Sequence, residues 1–342
     1  MHTVHTAPSL PLSRPYRARW FTVAKAIARA EYRFITTING QPRTLGDSIR
    51  VASKILVKLL RNPPSIFGVF RELGANKYQP LHENNPDVFL KYLRSGYSRA
   101  FDVRSQSIAI RHHYRYLFDT LTQDFLRLSI VEKVPIWQAS DDPDSPRIYL
   151  QTANQYDFES ELTLFLMVGS EMVSFMGCVI VPGNLVGSEA ETVLLVTRVQ
   201  GVSRKGNLLK AVTKLSGDCT PRLVLLAAMK GIARALEIPD LAGIGAENQS
   251  ASAYMAQVTP AFVESYDGFW QSLFDQNSDQ AYYHFGNQIH FKPLSAVSAH
   301  HRGRAQERRS YRSQVSRFVE SQIDQYRKQP RIEVRQQQPI PT

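Results

Sequence analysis

Glu159 and Glu161 stand two residues apart ahead of an apolar run, the spacing that sets two carboxylates on one face of a β-strand. Glu161 could serve there as a catalytic base if burial or Glu159 raised its pKa; on a solvated strand edge the same pair has no chemical task. Farther along, Gln200, Gly201, Arg204, Lys205, Gly206 and Asn207 fill a turn between a strand-like and a helical segment. Free backbone N–H groups and the helix dipole favour phosphate at such a helix start, so the run is a candidate cofactor-binding loop, or else an ordinary basic turn. Asn248 and Tyr254 follow a second strand-like run, where a helix cap and a packing ring are the plain reading.

Tyr266, Asp267, Gly268, Phe269 and Trp270 join bulky rings to one acid. The rings suit a helix packed on a sheet, and Asp267 could hold a basic group of a substrate or of the C-terminal arm. Arg302, Arg304, Arg308, Arg309 and Arg312 form a cationic face able to take phosphates by charge and paired hydrogen bonds, or to remain solvated. Near the other end Arg50, Lys54 and Lys58 recur at helical spacing beside an apolar stripe of Ile49, Ala52, Ile55, Leu56 and Leu59. No metal site is expected. His112 and His113 are adjacent and point to different helix faces, and His284 and His290 lack further ligand spacing. Cys178 and Cys219 make neither a disulfide framework nor a zinc pattern and fit a reducing compartment.

The 342 residues carry a net charge of +11, placed at the ends. Residues 1–61 hold 11 Lys/Arg against 2 acids, residues 292–342 hold 11 against 4, and the stretch between is net acidic. The longest apolar run, Leu223 to Met229, falls far short of the ~20 residues of a bilayer-spanning helix, and Lys25 and Arg29 interrupt the apolar stretch a signal peptide would need. The expectation is a cytoplasmic protein peripheral to the inner face of the cytoplasmic membrane. Its basic amphipathic ends would meet an anionic membrane surface or a lipid-linked precursor ahead of nucleic acid, since no RNP, zinc-finger or clear helix-turn-helix signature is present. No sequence feature indicates an oligomeric state.

The elements that must position these residues follow from periodicity. Two basic amphipathic helices are expected between Arg17 and Arg61, ended by Pro63 and Pro64, then a polar loop through Asn84 and Asn85, then a helix from about Ser107 to Leu128. Gln138 to Pro146 reads as a loop and domain boundary. Strands are expected over Arg147–Thr152, Leu162–Val168, Met172–Val181 and Thr192–Val199 as an antiparallel meander. Helices over Asn207–Leu215 and Pro221–Leu236, a buried strand Leu241–Gly245, a helix Pro260–Phe274 and a hairpin of Tyr282–Phe285 with Ile289–Phe291 complete the reading. Three parts result: a basic, mainly helical region over 1–137, a mixed-sheet α/β core over 147–295, and a basic helix and tail over 296–342.

This α/β (α+β) order, a mostly antiparallel sheet with one crossover and an N-terminal helical region, resembles the acyl-CoA N-acyltransferase fold. That comparison implies acyl-CoA as the possible cofactor, held by the Gln200–Asn207 loop and Asn248, with Tyr254 as acid. Phrases in order along residues 100–315 also resemble the bacterial VirK/YbjX family, whose domain is of unknown function: Glu159–Leu164, Val199–Gly201, Thr213-Lys214, Pro221 with its helix, Tyr266–Trp270 and Arg308–Arg312. That resemblance singles out Lys214, Asp267 and Trp270 beside the residues above. It implies a role in envelope integrity, virulence or antimicrobial-peptide tolerance, and supplies no catalytic residues. Asp218-Cys219-Thr220-Pro221 departs from the family's Gly-Leu-Arg-Pro run, so no role for that arginine carries over. The alternative is a noncatalytic basic adaptor binding anionic lipid or nucleic acid.

Overall fold

A computed structural model describes residues 44–328 apart from 87, 94–95, 154–158, 202–205, 256, 274–279 and 287–293, together with 28, 32, 37–38 and 41–42. The helical part opens with α1, Leu45–Arg61, whose cap is reciprocal: Asp47 N donates to the Thr44 hydroxyl at 3.1 Å, and that hydroxyl donates to the Asp47 carboxylate at 2.8 Å. Pro63 and Pro64 end α1 as expected, but they also begin α2, Pro63–Leu73, because a proline in the first helical turn loses no intrahelical hydrogen bond. The stretch that reads as a polar loop accordingly holds α2 and two short helices, Gln79–Asn84 and Val88–Lys91. The first of the two basic helices expected from the sequence falls mostly outside the described residues.

The single helix expected from Ser107 to Leu128 is two, α3 over Val103–Thr120 and α4 over Gln123–Val131. The break has a backbone cause. Thr122 N donates to Tyr326 O at 2.8 Å and Lys328 N to Thr120 O at 2.9 Å, so the end of the described chain is stitched into the gap. Ile110, Tyr114, Leu117, Phe118, Leu121 and Phe125 are all buried along the two helices and the gap between them.

Seven strands form one sheet in sequential order: β1 Val134–Gln138, β2 Pro146–Thr152, β3 Leu162–Val168, β4 Glu171–Pro182, β5 Thr192–Gly201, β6 Asp240–Ile244 and β7 Tyr282–His284. All neighbours are antiparallel except β5 and β6, which run parallel from Val193 opposite Asp240 to Val196 opposite Gly243. The crossover between them carries α5, Gly206–Leu215, and α6, Pro221–Ala235. Strand β1 lies ahead of the expected loop, inside the segment that reads as helical. It is an edge strand, the place where Pro135, which has no N–H to offer a ladder, is tolerated. The second half of the expected terminal hairpin, Ile289–Phe291, lies outside the described residues.

Unbroken buried runs over Met176–Val181 and Thr192–Thr197 require cover on both faces of the sheet, and α3 and α6 both pack on β4. A long helix, α7 over Ala299–Asp324, lies along α6 and reaches β1, where Tyr311 meets Trp137 edge-on at 6.2 Å. Gly231 on α6 makes that approach possible: a Cβ there would sit 2.4 Å from Ser316 O and 2.9 Å from the Val319 side chain. One buried cluster then runs from Val69 in α2 to Ile323 in α7.

Candidate functional site

Strands β5 and β6 stay paired only as far as Val196 and Gly243. Beyond that point β5 continues beside β4 to Gly201, while the chain after β6 turns into a short helix over Ala246–Asn248. The two parallel strands therefore part at their carboxyl ends, which is where open α/β sheets place ligands. A cavity of ≈ 1070 Å³ opens on the Gly201 side, bounded by Ser174 and Gly201 of the sheet, α5, the start of α6, and the helical stretch after Thr259.

Each wall has a local cause. The turn into α6 uses two consecutive left-handed residues, Gly217 (φ 59°) and Asp218 (φ 57°), and Pro221 begins the helix. Across the cavity, Pro260–Val263 and Phe269–Gln271 are α-helical and Glu264–Gly268 between them is a π-helical turn. Such an expansion often marks a functional site, and here it brings Glu264, Ser265, Gly268 and Phe269 to the cavity.

Cations outnumber acids on these walls. Lys210 and Lys214 stand exposed on α5, and Arg222 and Arg312 are half-buried, against Asp218 and Glu264. The Arg222 guanidinium donates to Ser265 O at 3.1 Å and lies 5.9 Å from the Phe269 ring centre. Burial lowers the pKa of Arg222 and of Arg312, a cost that an anion in the cavity would offset. Leu209, Leu223, Phe269 and Leu273 supply apolar wall. The cavity can thus hold an elongated ligand with an anionic part and an apolar part.

Of the residues singled out by sequence, Gly201, Lys214 and Arg312 meet at this cavity. Gln200 sits beside it, its carbonyl taking the Ser174 hydroxyl at 2.9 Å and its side chain bound by Arg198 at 2.8 Å. Gly206 and Asn207 open α5, although their side chains, like all of Arg204 and Lys205, lie outside the described residues. Tyr254 ends a short helix begun at Ser250, and its side chain is also outside them. The Asn248 carbonyl accepts from Arg99 N at 2.7 Å, away from the cavity. Asp267 and Trp270 are braces: Asp267 accepts from Ala246 N at 2.9 Å, and the wholly buried indole donates to Ile244 O at 2.9 Å and stacks on Phe285.

Glu161 is neither on a strand edge nor at the cavity. It is fully buried just before β3, 3.2 Å from the equally buried Lys91 Nζ, which also donates to Ser160 O at 2.6 Å. The Tyr97 hydroxyl donates to one carboxylate oxygen at 2.8 Å and the Tyr114 hydroxyl to the other. Burial, and then the Glu161 charge, push both phenols well above their ordinary pKa, so they remain donors. Glu159 is separate, held by Gln249 at 2.7 Å and facing Arg198 at 3.5 Å.

The basic helices are less uniform than their spacing implies. On α1, Arg50 and Lys54 are exposed, but Lys58 turns inward to the Leu93 carbonyl at 2.6 Å. The apolar stripe divides as well, with Ile55 buried while Ile49 (57% exposed) and Leu56 (54%) face outward. On α7, Arg302 folds back on Val297 O, Arg304 pairs with Asp218 at 3.3 Å, and Arg308, Arg309 and Arg312 are half-buried. Sequence reasoning missed Arg222, whose signal was a cation beside the helix-starting Pro221, and Lys230, a cation on a helix otherwise read for its apolar stripe. Cys219 is buried with its Sγ toward Arg308 O at 3.5 Å; burial raises its pKa, the opposite of an activated thiol.

No curated protein and no solved structure matches the chain. A family model does, and it takes in both the Glu161 cluster and the cavity walls: residues 46–319, from α1 into α7, match the family described as a protein of unknown function, DUF535, and the chain belongs to that family.

Proposed function

We propose that this is a VirK/YbjX-like factor of the bacterial envelope with an acyl-CoA-dependent acyltransferase activity, working at the inner face of the cytoplasmic membrane. The observation that carries the reading is the cavity beside the end of β5, beyond the point where β5 and β6 part, whose walls carry both cations and apolar side chains. Lys210, Lys214 and Arg222 would meet the coenzyme's phosphates, and Leu209, Leu223, Phe269 and Leu273 its apolar part. In the reaction the acceptor's nucleophile bonds to the thioester carbon and releases its proton to water, the carbon–sulfur bond breaks, and the thiolate leaves with a proton from an acid that water reprotonates. Tyr254 is the residue assigned to give that proton. Glu161 is assigned no step, because both its oxygens are engaged by buried partners.

Calorimetry of the purified chain with coenzyme A and a long-chain acyl-CoA, at low and moderate salt, tests this. Saturable binding that survives moderate salt and is lost in Arg222→Met supports the reading, as does loss of transfer in a folded Tyr254→Phe protein. No binding at either salt overturns it.

A second reading, a noncatalytic adaptor on anionic lipid, is favoured by α1. Leu45, Ile49, Leu56, Val57 and Leu60 are exposed along one sector of that helix, flanked by Arg50, Lys54 and Arg61. Co-sedimentation with anionic vesicles, weakened in Ile49→Ser/Leu56→Ser, in a protein that binds no coenzyme would favour the adaptor.

A further inference from the structure

Beside the large cavity, between α6 and α7, lies a second pocket of ≈ 170 Å³ that shares Leu223 and Arg312 with it. Leu223, Leu226, Ala227, Lys230 and Arg234 recur at helical spacing on one face of α6, and Arg309, Arg312, Ser313 and Ser316 do so on the facing side of α7. The apolar residues of α6 lie toward its start and its cations toward its end, while Arg309 and Arg312 of α7 lie beside the α6 start, so cations reach the whole length of the pocket.

Four cations line it. The Arg234 Nε donates to Glu320 at 2.8 Å and another of its guanidinium nitrogens donates to the Ser316 hydroxyl at 2.8 Å. Arg312 donates to Arg308 O at 3.1 Å. Lys230, half-buried, forms no hydrogen bond or ion pair with the described residues. Burial, with Arg234 and Arg312 beside it, lowers its pKa to about 8. A fold that gathers like charges in a half-closed space is stabilised by an anion that takes hydrogen bonds from several of them at once. The space suits one phosphoryl group and a few waters, each of which fills about 30 Å³.

We infer that the pocket between α6 and α7 is a phosphate-binding site, built by Lys230, Arg234, Arg309 and Arg312. It receives a phosphoryl group of the ligand that occupies the adjoining cavity. The site rests on its own geometry, and only the identity of the ligand rests on the acyl-CoA reading.

Calorimetric titration of the full chain with inorganic phosphate at constant ionic strength tests it. One saturable site is expected. Lys230→Met and Arg309→Met should each weaken it at least about tenfold, the loss expected for one charge-assisted hydrogen bond. Arg71→Met on α2 should leave it within about twofold. Thermal melts establish that each variant is folded. Absence of saturation, or unchanged affinity in folded Lys230→Met, overturns the site. A coenzyme A arm separates sources: competition with phosphate assigns the group to the coenzyme, and simultaneous binding assigns it to a second substrate. Phosphate binding without any coenzyme A binding sinks the acyl-CoA reading and leaves the site standing.

Discussion

Around Glu161 one carboxylate takes an ammonium and two phenols, and all four groups are buried; around Lys230 three arginines line the same outward-opening pocket, and Lys230 itself forms no hydrogen bond or ion pair with the described residues. Both places bring charge off the surface. In the first the chain supplies every partner, and nothing is left for a ligand to do. In the second it sets Lys230 among like charges and leaves an acceptor for that ammonium to come from outside. A buried charge is therefore a poor guide to function until its partners are counted, because the same desolvation accompanies a finished brace and an unfinished site.

The contrast breaks most visibly at the closed end. Lys91→Met strands the Glu161 carboxylate in the interior, and Glu161→Ala strands the ammonium. Each should lower stability by about 3–5 kcal/mol in chemical denaturation, with phosphate affinity retained by whatever protein folds. At the contact between α6 and α7, Gly231→Ala should cost about 1–3 kcal/mol, since its methyl meets Ser316 O, and should also weaken phosphate binding by prising the pocket walls apart. At the open end the sign reverses. Lys230→Met removes a cation from among its like, so the melting temperature of the ligand-free protein should hold or rise while the gain from added phosphate disappears.

The smallest effect lies outside both regions and calibrates them. The protonated His284 ring donates from Nδ1 to the Asp240 carboxylate at 2.9 Å, and this contact raises the histidine's pKa over the burial that lowers it. Its contribution is fully present below the unfolded value of about 6.5 and is lost as pH rises through the raised folded value. His284→Asn should therefore reduce stability at pH 6 by less than about 1 kcal/mol and leave the protein near wild type at pH 9, read from paired melting curves.

Strands β2 to β6 and helices α5 and α6 were legible because each is a run of one period bounded by turn residues or proline. Three features hid the rest. Pro63 and Pro64 signal a stop and a start with the same residues, so α2 reads as loop. Pro135 interrupts the strand pattern of β1, which only an edge position allows. The gap between α3 and α4 is filled by residues from the far end of the chain, which no local window contains. Of the site, Gly201 could be named from its turn, Arg312 from its charged run and Lys214 from the family resemblance. Glu161 was picked out for its charge, but Lys91 closes it off from a distant part of the chain, and pairing across such separations leaves no local pattern. Lys230 was passed over because one cation on an apolar helix reads as its solvated side.

The stitch of Tyr326 and Lys328 into the gap after Thr120, together with the seating of α7 on Gly231, sets an order of events in synthesis. Translation proceeds at about 5–20 residues per second, so α3 and α4 leave the ribosome on the order of ten seconds before the segment that joins them. Until α7 arrives, one face of α6 lies bare and both cavities lack the wall that carries Arg312. A truncated chain can therefore assemble much of its sheet and still lack the α7 wall of both cavities. The pocket between α6 and α7 is closed only once the chain through α7 has been made.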